Sequence, residues 1–113
     1  MKDLITYSEF SKIEIRVGTI IAAELNKTLK KPSIVLKIDF GEDIGIKKSS
    51  AQLTKNYQSE QLIFKQIAAV INFPQKQIGN LISEVLVLGF PDNNGEPILI
   101  SPDQKVENGG KLY

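Results

Sequence analysis

Hydrophobic and polar residues alternate in several stretches of the chain, the period-two pattern that predicts β-strands. The first stretch is the longest, and Gly18 in its middle predicts a bend or bulge there. The residues predicted on its apolar, core-facing side are Ile13, Ile15, Val17, Ile21, Ala23 and Leu25. A hairpin turn at Asn94-Gly95 precedes the last strand, because these residues readily adopt positive φ. The predicted strands cover residues 13–25, 34–40, 44–47, 67–71, 85–88 and 97–101.

Two short helices are predicted from the spacing of capping boxes. The Thr-x-x-Glu spacing at 6–9 predicts an N-terminal helix whose aromatic residues, Tyr7 and Phe10, pack on the core. The Ser-x-x-Gln spacing at 49–52 predicts a second helix that follows the third strand directly and extends to about Tyr57.

The stretches 67–71 and 85–88 differ from the other strands because they are apolar on both faces. An antiparallel strand in a small monomer usually has one face in the core and one in water. The second apolar face must therefore be covered, either by a terminal segment or by a second copy of the chain, since soluble monomers rarely expose so large a patch. We expect a homodimer.

Strands in this order, with a long bent first strand and a helix after the third, favour a partly open Greek-key barrel, the OB-fold. The predicted fold class is all-β, with a short N-terminal helix and a short helix after strand 3. At 113 residues the chain has the length of one domain, and residues 1–113 are predicted to form it.

The composition argues against several kinds of chemistry. The chain has no cysteine, histidine or tryptophan, which removes thiol nucleophiles, disulfides, imidazole bases and nearly all zinc or haem ligation. No nucleophile–base pair is evident, so we expect no enzyme, no cofactor and no metal. No apolar run approaches the roughly 20 residues that cross a bilayer, and the first residues lack the apolar core of a signal peptide, so we expect a cytoplasmic protein without membrane insertion.

The net charge of +1 hides an uneven distribution. From Lys27 to Lys76, nine lysines accompany four acidic residues, whereas the flanking segments are acidic. An OB-fold binds ligands on the face of strands 2 and 3 and on the loops beside it. The lysines expected there favour phosphate contacts with a polyanion, and they are Lys27, Lys30, Lys31, Lys37, Lys47, Lys48 and Lys76. A mixed, solvated surface, with Ser49 and Ser50 in a simple turn and cap, is the alternative interpretation.

The segment 72–84 joins the two apolar strands and is rich in amide side chains. Asn72 and Ser83 can add hydrogen bonds to a ligand, and Phe73 can stack on one base.

Five segments carry a family resemblance, and they are Glu14–Ile20, Ile38–Gly41, Ile46–Thr54, Val70–Pro74 and Ser83–Gly89. Together they resemble the CsaA family, export-related chaperones of bacteria and archaea. CsaA belongs to the tRNA-binding domains found also in methionyl- and phenylalanyl-tRNA synthetases. The resemblance covers roughly Phe10 to Lys111.

The resemblance implies a non-enzymatic homodimer that binds unfolded preproteins, cooperates with the secretion ATPase SecA and can hold tRNA. Carried over by position, the pocket residues of the family fall at Lys47, Ser50, Asn72, Lys76 and Ser83. With Lys30 and Lys31 of the first loop, and with Phe73, they form the predicted site for tRNA or peptide.

Two hypotheses remain open, and an enzyme is the least favoured third. A chaperone that holds peptides in a groove accounts for the two-sided apolar strands and the amide-rich segment. A tRNA-binding module that positions tRNA through lysine–phosphate contacts accounts for the lysines. The sequence does not separate them, because both ligands would use the same cleft.

Overall fold

The computed structural model describes residues 1–28 and 30–113 and consists mostly of β-strands. The elements, in chain order, are α1 (Tyr7–Ser11), β1 (Ile15–Asn26), β2 (Ser33–Asp39), β3 (Ile46–Ala51), α2 (Ser59–Leu62), β4 (Gln66–Val70), β5 (Lys76–Ile78), β6 (Leu81–Ser83), β7 (Leu86–Val87), β8 (Gly89–Pro91) and β9 (Pro97–Leu99).

Strand β1 pairs with two partners along its length. Its first half is antiparallel to β4, and its second half is antiparallel to β2. β3 lies on the other edge of β2, and β7 lies on the other edge of β4, which gives the order β3-β2-β1-β4-β7. The short pairs β5–β6 and β8–β9 are separate hairpins.

The segment that contains β6 and β7 closes this sheet into a barrel. Glu84 donates its backbone N–H to the Lys48 carbonyl at 2.8 Å, and Ser50 donates its N–H to the Ser83 hydroxyl at 3.1 Å. The segment therefore lies along the free edge of β3 before β7 pairs with β4. The Greek-key OB-fold predicted from the sequence is confirmed.

The barrel interior is filled by aliphatic side chains and one aromatic ring. Every inward position of β2 is buried, and Ile38 and Phe40 lie against Gly18 of β1. The buried apolar residues that pack together are Ile20, Ile34, Leu36, Ile38, Phe40, Leu53, Leu62, Ile67, Ala69, Val85 and Leu99.

The predicted bulge at Gly18 is wrong in position, and the predicted core face is wrong for β1 as far as Ile21, whereas Ala23 packs against the core as predicted. The register shifts between Ile20 and Ala22, where β1 passes from β4 to β2. Before this point Gly18 and Ile20 are the buried residues, whereas Val17 is half-buried on the other face. Glycine at position 18 serves close packing: a Cβ atom there would lie 2.6 Å from Ile38 Cγ2.

The helix predicted to begin at Ser49 is also wrong in position. Ser49 lies within β3, is buried, and donates its hydroxyl to the Val85 carbonyl at 3.2 Å. The helix after the third strand is α2, which begins eight residues after β3 ends. Its capping box uses Gln58 and Gln61.

The N-terminal helix α1 is confirmed, with a capping box between Thr6 and Glu9. Its predicted packing is wrong, because no residue of α1 is buried. Tyr7 is 74% exposed and instead contacts Phe10, with ring centroids 6.2 Å apart.

The predicted turn at Asn94-Gly95 joins β8 to β9, and Gly95 has a φ of 81°. The Asp92 carboxylate closes this turn by accepting hydrogen bonds from Asn56 and from the backbone N–H groups of Glu96 and Asn94. These hydrogen bonds, the one from Asn56 foremost, lower the pKa of Asp92. Within the described residues, neither helix has the length and apolar character that a membrane span requires.

Candidate nucleic-acid interface

Lys37 and Lys48 lie directly opposite each other on the outer face of the barrel. They are cross-strand partners in β2 and β3, and both are exposed. In the described part of the chain, the ion pairs are those of Glu14 with Arg16 and Lys111, so neither lysine has an acidic partner within ion-pair distance. Like charges directly opposite each other destabilise a strand pair, and an anion bound between them would remove that repulsion.

Lys47 lies on the other side of β3. Its cross-strand partner is Ile38, which is fully buried, and Lys47 itself is half-buried at the rim of the barrel. The structure therefore separates Lys47 from the Lys37–Lys48 pair, and its role in binding stays a prediction.

Ser50, Ser83 and Lys76 come together where the closing segment crosses β3. Lys76 is the cross-strand partner of Ser83, whose hydroxyl accepts the N–H of Ser50. The Ser50 hydroxyl donates to the hydroxyl of buried Ser33 at 3.0 Å. Both predicted serines thus bind the barrel itself, and Lys76, which is exposed, is the member of this group that a ligand can reach.

Lys30 and Lys31 are exposed in the loop that precedes β2. Lys31 is two residues before Ser33, so this loop and the β5–β6 hairpin approach the same end of β3. The two loop lysines and Lys76 therefore flank one end of the face that carries Lys37 and Lys48.

Asn72 has a structural role in the described chain. Its side chain donates to the Lys12 carbonyl at 2.7 Å and accepts the N–H of Glu14 at 2.9 Å, so it joins the end of β4 to the segment after α1. Phe73, the next residue, is 51% exposed. Asn72 and Phe73 lie beyond the end of β4 that pairs with the start of β1, away from the Lys37–Lys48 pair.

A cavity of about 370 Å³ lies between β3 and the β5–β6 hairpin. It brings the Lys48 side chain together with Glu84, whose carboxylate accepts the N–H of Lys48 at 3.0 Å. This carboxylate lowers the positive potential near Lys48 and so opposes the binding of a polyanion there. The remaining lining residues are Gln75, Asn80, Leu81 and Ile82.

An apolar groove of about 370 Å³ runs over the outer face of β1 and β4. Its walls include Ile15, Val17 and Ala68, together with Val106 and Leu112 of the C-terminal segment. This segment pairs with β1, since Gly109 donates to the Val17 carbonyl and Leu112 donates to the Ile15 carbonyl. A terminal segment therefore covers part of the apolar face, one of the two outcomes that the sequence left open.

Glu14 links the C-terminal segment to β1. Its carboxylate contacts Lys111 at 2.9 Å and also accepts hydrogen bonds from Arg16. These donors, Lys111 first, lower the pKa of Glu14 from its ordinary value of 4.5. The groove thus has a charged rim at one end.

The sequence placed Lys37 and Lys48 on the binding face but did not select them for the site. The reason lies in the inward positions of β3, which are Lys47, Ser49 and Ala51 and include no large apolar residue. The alternation of Ile44 and Ile46 with Gly45 and Lys47 indicates the opposite phase, and Ile46 is in fact 56% exposed, so the sequence alone does not indicate the correct phase. Pairing with β2 provides it, because Leu36 and Ile38 must face inward.

Solved structures resemble the chain over nearly its whole length. The CsaA chaperone protein from Picrophilus torridus is 53% identical, with a TM-score of 0.89 over 97% of this chain and 100% of that chain. The chaperone CsaA from Bacillus anthracis str. Ames is 42% identical, with a TM-score of 0.91 over 98% of this chain and 100% of that chain. The resemblance to CsaA seen in the sequence is confirmed.

A curated relative, the methionine–tRNA ligase of Methanococcoides burtonii, is 38% identical over 112 residues. The match covers 99% of this chain but 16% of the ligase, so the chain spans about a sixth of that enzyme's length. The family model described as "Putative tRNA binding domain" matches residues 15–111, which include every strand of the barrel. The chain belongs to this tRNA-binding domain family.

Proposed function

We propose that the chain is a non-enzymatic binding protein whose outer β2–β3 face holds tRNA by its phosphates. The observation that carries the proposal is the exposed Lys37–Lys48 pair, which has no acidic partner among the described residues and is flanked by Lys30, Lys31 and Lys76. Lysine provides point charges without the planar fork that reads guanine, so phosphate contacts dominate. Membership of the tRNA-binding domain family supports the same ligand.

The salt dependence of tRNA binding tests this proposal. If these five lysines neutralise phosphates, log K falls with log salt with a slope of about −3.5 to −4.5. The double variant Lys37→Ala/Lys48→Ala is expected to reduce the magnitude of that slope by about 1.4–1.8 and to weaken the binding of all RNA sequences alike. Lys2→Ala/Lys105→Ala removes the same charge elsewhere and is the matched control. An unchanged slope in the first variant would rule out the assigned face.

A second candidate ligand is an unfolded preprotein segment, which the apolar groove beside the C-terminal segment favours. The structural neighbours named as chaperones support this function, and the resemblance to CsaA adds SecA as a partner without assigning it a surface. Apolar burial is little screened by salt. Binding of an unfolded polypeptide would therefore persist at a salt concentration that releases tRNA, and a loss of both ligands together would contradict it.

We infer further that the protein functions as a homodimer. No residue of helix α1 is fully buried, and helices this short are unstable without packing. Residues before it are exposed as well: Leu4 by 92% and Ile5 by 65%. A second copy would cover them.

Light scattering distinguishes a dimer from a 12.5 kDa monomer. Leu4→Asp/Ile5→Asp is expected to shift the protein to the monomer, whereas Lys2→Asp changes charge nearby and leaves the dimer intact. A wild-type monomer at all concentrations would contradict the inference.

A further inference from the structure

Phe64 combines a left-handed backbone with an exposed aromatic ring. Its φ is 71°, the one positive φ outside glycine in the ranges 1–28 and 30–113. The residue is 80% exposed. This conformation is an outlier for a bulky side chain, and such outliers cluster at sites that contact ligands.

Hydrogen bonds to β1 fix this backbone. Phe64 donates its N–H to the Ile20 carbonyl at 2.8 Å, and Ile20 donates its N–H to the Lys65 carbonyl at 2.9 Å. Two residues thus lie opposite one, the arrangement of a β-bulge whose first residue is left-handed and ordinarily glycine. Phenylalanine occupies a position where glycine would be less strained, and the exposed ring gains little burial within the monomer.

Phe64 lies beside β1 at Ile20, two residues before the strand position that begins a row across the outer face of the sheet. Ala22 of β1 is the partner of Lys37, which is the partner of Lys48. Ile21, 39% exposed, is the residue at the register shift beside Ala22. Because Phe64 flanks β1 on the side away from β2, two strand spacings, at most about 10 Å, separate its backbone from that of β2.

We propose that Phe64 is a stacking platform for an unpaired base of the RNA whose phosphates contact Lys37 and Lys48. The proposal rests on the tRNA-binding function proposed above and adds a contact that phosphate binding does not require. A base needs an exposed aromatic face held in one place, and the bulge holds Phe64 there. The backbones of Phe64 and Lys37 are about two strand spacings apart, a distance that a single strand crossing β1 and β2 can span.

The position of Phe64 separates it from the other exposed aromatic residues. Phe73 lies beyond the opposite end of β4, and Phe90, 68% exposed, lies on the β8–β9 hairpin. Phe90 is therefore a matched control. The chain contains no tryptophan, so Phe64→Trp introduces a single indole that both stacks and reports on stacking.

The test measures the affinity of short single-stranded oligoadenylate for four variants and the wild type. Phe64→Leu and Phe64→Gly are expected to weaken binding roughly 5- to 150-fold, the factor that corresponds to about 1–3 kcal/mol for one stacked base. Phe64→Trp retains the affinity, and its fluorescence is quenched when RNA binds. Phe90→Leu binds like the wild type. Phe64→Gly keeps or raises the Tm, which separates lost stacking from lost folding.

Several outcomes would overturn the inference. If the wild type binds RNA with the expected salt slope and Phe64→Leu binds equally well, the inference fails and the proposed function stands. Unchanged RNA affinity with a changed oligomeric state would assign Phe64 to a second copy, and unchanged RNA affinity with lost polypeptide binding would assign it to a polypeptide. If the wild type binds no RNA, both proposals fail together.

Discussion

Gly18 determines how closely the first two strands approach across the barrel. Three atoms lie within 3.0 Å of the place a Cβ would take, one from Ile38 and two from the ring of Phe40. All belong to fully buried side chains, which have little room to move. The glycine is therefore required by space rather than by its own backbone conformation.

We expect Gly18→Ala to lower the free energy of unfolding by about 1–3 kcal/mol, the usual effect of overpacking a core. Urea denaturation measures it. Gly110→Ala is the control, because its added Cβ would meet ordinary contacts at 3.6 Å. Equal stability of both variants would show that the barrel can relax around residue 18.

Asn72 provides a second test at this scale, because the sequence assigned it to the ligand and the structure gives it two backbone partners. Asn72→Ala is expected to lower the free energy of unfolding by about 0.5–1.5 kcal/mol for each hydrogen bond lost. The affinity for RNA is expected to stay unchanged. Thermal unfolding and RNA titration of the same variant measure both quantities. A loss of RNA affinity with unchanged stability would show that Asn72 contacts the ligand.

The lysines show how far single residues can be assigned from sequence. Their concentration on one face was predictable, because an OB-fold has a known binding side. The choice between Lys47 and Lys48 was not, since it depends on the phase of β3, which only its register with β2 determines. The left-handed Phe64 was also beyond prediction, because its backbone results from tertiary hydrogen bonds to Ile20.

The helices also show that an element is predictable from sequence when local contacts determine it and is misplaced when tertiary contacts do. Helix α1 was predictable because its capping box is local, between Thr6 and Glu9. The helix predicted from Ser49 was misplaced because pairing with β2 extends β3 through that position. The hydroxyl that would cap a helix binds the Val85 carbonyl instead.

The contacts of Glu14 make the attachment of the C-terminal segment to β1 depend on pH. The pKa of Glu14 is lowered in the folded chain, so its contribution is present above the ordinary value of 4.5 and is lost as the pH falls through the lowered value. We expect the amide hydrogens of Gly109 and Leu112 to lose protection from exchange below about pH 4.5, measured relative to intrinsic rates.

Glu14→Gln is the control for this pH dependence. It removes the charge that Lys111 contacts, so protection at neutral pH is expected to be lower and independent of pH. A pH dependence that persists in Glu14→Gln would assign the effect to another group.

On the scale of the whole molecule, barrel closure and ligand binding share one edge. The residues that close the barrel against β3 lie beside Lys48 and include Glu84. Glu84→Gln removes a negative charge from this edge and keeps an acceptor for the Lys48 N–H. We expect it to raise the affinity for tRNA several-fold at low salt and to leave Tm nearly unchanged. A lower affinity would show that the carboxylate contacts the ligand directly.

The paired lysines of β2 and β3 also bear on any attempt to make this protein more heat-resistant. Replacing one of them by a neutral or acidic residue would remove a repulsion, so a screen for thermal tolerance would favour such substitutions. The same substitutions would remove ligand affinity. Selection for thermal stability and selection for ligand binding therefore oppose each other at these two positions.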